Sequence, residues 1–148
     1  MEFVKEITAH LENKPGRLAK ICSALGHEKV NIRALTVMTD NGPSLLRLVT
    51  EQVEEASKVL TSLGAEHEVA EALAVEMDNR PGSLAKVLER LAEEHINIDY
   101  AYLAGAFQGK TLAILHTSNP KRALQILLDA HASNGSSESH GRRPLHSR

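Results

Sequence analysis

The chain has 148 residues, of which 42% are hydrophobic and 24% charged, with a net charge of -2. That is material for one ordinary domain or two very small ones, and the balance of charge gives no general pull towards nucleic acid or an anionic membrane. Aromatics make up 3% and there is one cysteine, Cys22, so the core must be aliphatic and an intrachain disulfide or CxxC pair is excluded. The first residues, MEFVKEITAH, lack the apolar run of a secretory signal, and no apolar stretch approaches the ~18 residues of a membrane span. The expectation is a soluble cytoplasmic protein.

The elements follow in chain order. Phe3, Lys5, Ile7, Ala9 and Leu11 alternate, the period of a strand with one buried face. Asn13-Lys14-Pro15-Gly16 is a turn, and Leu18, Ile21, Cys22 and Leu25 then recur at helical spacing. Two strands come next, VNIRALTVMT and SLLRLVT, joined by the turn Asp40-Asn41-Gly42-Pro43. A second helix starts near Glu51, with Val53, Ala56, Val59, Leu60 and Leu63 as its apolar stripe. A strand at about Glu66–Val69 runs almost without a break into a further alternating stretch, Leu73, Val75 and Met77.

From there the chain repeats itself. Asn79-Arg80-Pro81-Gly82 opens a helix marked by Leu84, Val87, Leu88 and Leu91. The strands INIDYAYLAG and TLAILHT follow, then a helix from Asn119 with Ala123, Ile126 and Leu127. At an offset of 66, ten of the twenty positions from 13 to 32 are identical to their counterparts. Beyond the middle loop the offset is 67, pairing Leu45 with Leu112 and Leu60 with Leu127. A duplicated unit of about 66 residues is therefore the architecture. Each unit reads βαββα, and copy one adds a closing strand to give the ferredoxin-like βαββαβ arrangement. Residues 1–70 and 71–131 form the two domains. Copy two shows no closing strand, so its sheet edge is either covered by its neighbour or open. The polar stretch 132–148 is expected to be a disordered tail.

Several ferredoxin-like chemistries fail on residues. One cysteine cannot make a metal-chaperone thiolate pair. Tyr100 and Tyr102 share a strand face as an RNA-binding platform would require, but copy one has Ala34 and Thr36 there. An acylphosphatase-like cradle would use Arg17, whose counterpart is Ser83. What both copies share, Asn-[Lys/Arg]-Pro-Gly-x-Leu-Ala-Lys, a helix, then Asn-Ile, resembles the ACT domain, the small-molecule-sensing module of many amino-acid metabolic enzymes. The resemblance runs from residue 1 to about 130. It implies two tandem ACT domains, α+β, with antiparallel sheets and helices on one face, binding an amino acid where the first loop and helix of one domain meet another.

The loop chemistry suits that expectation. A helix start offers unpaired N–H groups and a favourable dipole to a carboxylate. Gly16 and Gly82 admit close backbone approach, and Pro15 and Pro81 fix the turn. Asn13 and Asn79 can accept from an ammonium and donate through the amide. Leu18, Leu84, Ile32 and Ile98 would wall the pocket, with Arg17 and Ser83 as its variable members. Asn31 and Asn97 either join that site or cap a turn, and the Asn-x-Pro-Gly loops are also good turns in their own right. Arg33 aligned with Asp99 suggests either unequal sites or an ion pair between the copies. The eight histidines, His10, His27, His67, His95, His116, His131, His140 and His146, show no metal-ligand spacing. No cofactor is implied, and no nucleophile–base pair is visible. The expected function is a non-catalytic regulatory protein sensing a small amino acid. It is expected to be a homodimer, with a separate regulated enzyme as a possible partner, and no nucleic acid or membrane. The alternative is a dimerisation or interaction scaffold without ligand.

Overall fold

The computed structural model describes residues 1–39 and 41–137. In chain order it contains β1 (Glu2–Leu11), α1 (Arg17–His27), β2 (Ile32–Thr39), β3 (Ser44–Thr50), α2 (Val53–Ser62), β4 (His67–Asp78), α3 (Ser83–Glu93), β5 (Ile98–Leu103), β6 (Lys110–Thr117) and α4 (Pro120–Ser137). Both copies share one six-stranded antiparallel sheet, ordered β2-β3-β1-β4-β6-β5. All four helices lie on one face. Ile7, Ala9 and Leu11 meet Ile21, Leu25 and Leu60 in one core, while Leu73, Val75 and Met77 meet Leu91 and Leu127 in a second. No described helix is long and apolar enough to cross a membrane.

The two copies fuse at β1 and β4. β4 is a single unbroken strand, so the expected boundary at 70/71 falls inside it. Its first half closes copy one and its second half opens copy two. The pairing is internally two-fold: Glu6↔Ala70 becomes Ala72↔Val4 when each residue is moved by the repeat length of 66. β1 therefore does for copy two what β4 does for copy one. Of the two alternatives for copy two's edge, the neighbour covers its first part, from Glu71 to Ala74, and β1 does not reach the rest of β4, to Asp78.

Two expectations need correction. The alternation puts Phe3 on the buried face, yet it is 38% exposed, and its repeat mate Val69 is 45% exposed. Both lie near the centre of the sheet, where exposed Lys5 and Glu71 pair across β1 and β4. Each helix pair packs over its own half of the sheet and leaves this middle strip bare. The tail expected from 132 onward is also shorter, because α4 runs through Ser137. In copy one Gly64, at φ 69, ends α2, and Ala65 N–H bonds back to Leu60 O at 2.9 Å. His131 stands at the matching place in copy two, so nothing supplies that left-handed stop and the helix continues. The rest of the expected tail, 138–148, lies outside the described residues.

Candidate functional site

The two Asn-x-Pro-Gly loops are built alike. Gly16 and Gly82 are the N-caps of α1 and α3, at φ 82 and φ 86, a conformation that costs an L side chain ~1–2 kcal/mol. An added Cβ at either would meet nothing within 4 Å. The backbone conformation by itself therefore calls for glycine at both positions. Arg17 N–H donates to Lys14 O and Ser83 N–H to Arg80 O, both at 3.2 Å. The next N–H groups, of Leu18 and Ala19 and of Leu84 and Ala85, make no hydrogen bond within the described residues. Each helix thus presents unpaired donors at its positive end, the local condition for holding a carboxylate.

A carboxylate precedes each loop, and sequence reasoning passed over both. Glu12 Oε2 lies 3.1 Å from Lys14 Nζ and 3.9 Å from Arg17. Asp78 lies 2.7 Å from Arg80 and 2.5 Å from Lys110 Nζ. The Lys14 contact holds the Glu12 carboxyl below its usual range. The Lys110 bond, with Arg80, holds that of Asp78 at about 2. The signal was available as an acid directly before Asn in both motifs.

The strand order decides which candidates can cooperate. β1 and β4 are antiparallel, so the Asn13 loop leaves one end of the sheet and the Asn79 loop the other. The 12 residues of β4 alone span about 40 Å. The loops do not face each other within one chain. A shallow hollow of about 340 Å³ gathers Pro15, Gly16 and Arg17 with Glu12, Lys14 and Lys20. Asn13 and Asn79 are exposed beside their loops, and Leu18 is 37% exposed. Leu84, Ile32 and Ile98 are half-buried and pack on the cores. Within each copy Asn31 or Asn97 is at the far end of the first helix, whose 11 residues span about 16 Å. Their roles in the turn match: Asn31 N–H donates to Gln52 Oε1 at 3.0 Å, and Asn97 N–H to Ser118 Oγ at 3.2 Å. Asn31 shares a sheet end with the Asn79 loop, but β2 and β4 stand three strand spacings apart, about 14 Å.

The Arg33–Asp99 pair does not form, because β2 and β5 are opposite edges of the sheet. Arg33 bonds Glu2 at 3.1 Å, and Asp99 meets His116 Nδ1 at 3.0 Å. The helix-free face carries instead a cluster joining the copies. Glu6 of β1 is 1% exposed and accepts hydrogen bonds from Tyr100 and Tyr102 of β5, the second at 2.6 Å. Both phenols reach it over β6 and β4, where Ala70, Ala72 and Ala74 leave room. Arg47 stacks on Tyr100, 3.9 Å from the ring centroid, and His116 stacks on it at 4.8 Å. Burial, then Glu6, pushes the Tyr100 phenol up to about 12 and the Tyr102 phenol up as well. The repeat mates Ala72, Ala34, Thr36 and Ile114 cannot build a second such cluster. Among the described residues no group of three His, Cys, Asp or Glu is placed to hold a metal.

A family model described as an ACT domain pair matches residues 2–138. The chain belongs to the ACT family. No curated protein matches it in sequence. Among solved structures, this ACT pair is similar to a protein from Bacteroides thetaiotaomicron, with 27% identity and a TM-score of 0.81, over 87% of this chain and 89% of that one. The regulatory subunit of aspartate kinase from Thermus thermophilus, in its ligand-free form, shares the fold at 15% identity and a TM-score of 0.65, over 87% and 92% of the two chains. The corresponding subunit from Thermus flavus does so at 16% and 0.60, over 88% and 94%.

Proposed function

We propose that this ACT pair is a non-catalytic regulatory protein that binds a small amino acid at ACT–ACT interfaces. The observation that carries the reading is the matched pair of loops, each with a left-handed glycine and two unpaired helical N–H groups. Shared fold with the regulatory subunit of aspartate kinase supports the class. Because the loops lie at opposite ends of one sheet, a second chain must supply the facing wall, which favours a homodimer with ligand between chains. Ligand held there stabilises one assembly by differential affinity and passes the signal to a separate enzyme. The second reading, an interaction scaffold without ligand, draws on exposed apolar side chains at the sheet's outer edges: Met38 at 53%, Leu103 at 53% and Phe107 at 76%.

A thermal-shift screen against the common amino acids separates the two. A ligand that binds only the folded state raises Tm by mass action. A selective rise for one amino acid, lost in Gly16→Ala and Gly82→Ala while the dimer persists, supports the sensor. A flat panel from protein that melts cooperatively favours the scaffold.

A further inference from the structure

One space differs sharply between the repeats. In copy one the hollow between α1, the end of α2 and the end of β1 holds about 90 Å³ and is closed by Leu63, Gly64 and Ala65. The matching space in copy two is a groove of about 480 Å³, within the range of small-molecule sites. Five lining positions are repeat mates: His10 and Glu76, Lys20 and Lys86, Ile21 and Val87, Leu63 and Ala130, Gly64 and His131. The opening has a cause. α2 turns at Gly64 and leads into β4 over the hollow, whereas α4 runs straight past, and Ala130 is smaller than Leu63.

The groove has an apolar floor and a cationic wall. Val75, Val87 and Leu127 form the floor. Lys86 and Arg90 stand one turn apart on the same face of α3. Lys86 has no ion-pair partner among the described residues, and Arg90 has only the exposed Glu93 at 3.0 Å. Main chain adds a further donor. Asn79 N–H bonds Gly109 O across to the β6 side, so the alternate residue Glu76 points its N–H to the β1 side. The matching N–H in copy one, that of His10, donates to Glu66 O at 2.8 Å. In copy two the β1 pairing stops at Glu2↔Ala74, and Glu76 N–H has no partner among the described residues.

We infer that this groove is a second binding site, taking a small aliphatic carboxylate. Its carboxylate meets Lys86, Arg90 and Glu76 N–H, and its chain lies on Val75, Val87 and Leu127. The site is separate from the loops and does not depend on their ligand. Both 4-methylpentanoate and leucine offer this chemistry, the second with an added ammonium.

Amide NMR of the full chain, titrated with each compound to millimolar concentration, tests the site. Saturable shifts are expected at Glu76, Val87 and His131. Two substitutions install the copy-one residues: Arg90→Ala removes a cation and Ala130→Leu fills the groove. Each is expected to weaken binding about tenfold, which for Arg90→Ala is the scale of one charged hydrogen bond. Either compound behaving so upholds the site, and the tighter of the two names its source. No saturable shift, affinity unchanged in both variants, or shifts confined to the Gly82 loop would overturn it.

Discussion

Glu6 is a carboxylate that water almost does not reach, and its two oxygens are held by Tyr100 and Tyr102. Removing one phenol hydroxyl leaves a buried acceptor without its donor. Tyr102→Phe is therefore expected to cost about 2 kcal/mol in urea unfolding, against near zero for a typical exposed site. The same cluster sets an alkaline limit. An unfolded chain ionises its tyrosines near pH 10, while the fold keeps Tyr100 protonated to about 12. The unfolded state then holds fewer protons, so stability falls as pH climbs through that window. The decline, followed by urea titration at several alkaline pH values, should be shallower in a Tyr100→Phe, Tyr102→Phe double variant; an equal decline would place its origin elsewhere. The alternation of Tyr100 and Tyr102 was legible in the chain, but their acceptor was not. Glu6 lies 94 residues from Tyr100, and only the strand order brings them together.

At the scale of elements, the period-two and helical patterns were enough to find every strand and helix, because each has one face on a core. The end of α4 was not legible, since His131–Asn134 are exposed and the sequence there carries no apolar period to read. The rule that stops α2 was visible only as a glycine present in one copy and absent from the other. His131→Gly restores that stop and is expected to lower helix content at residues 132–137, read from backbone chemical shifts. Unchanged shifts would mean that α4 is held there by something other than the missing cap. The loops show the same limit. Their residues were plain from the repeat, yet the placement of one loop at each end of the sheet depends on β1 and β4 running in opposite directions.

At the scale of the molecule, the duplicated sequence suggested two domains, and the structure joins them through one strand pair. β1 and β4 each complete both copies, so neither copy owns a full sheet. A fragment of residues 67–137 is expected to lose cooperative unfolding and to self-associate, because removal of β1 bares the edge from His67 to Ala74. Circular dichroism melts and size-exclusion chromatography would show it; a monomer with a sharp melt would contradict the shared-strand account. The arrangement also constrains birth on the ribosome. β1 is made first, and its β4-side edge finds its partner only after His67–Asp78 has emerged. Copy one cannot close until β4 has emerged. A nascent chain that stalls after α2 holds a half-paired strand, the state most open to capture by another chain.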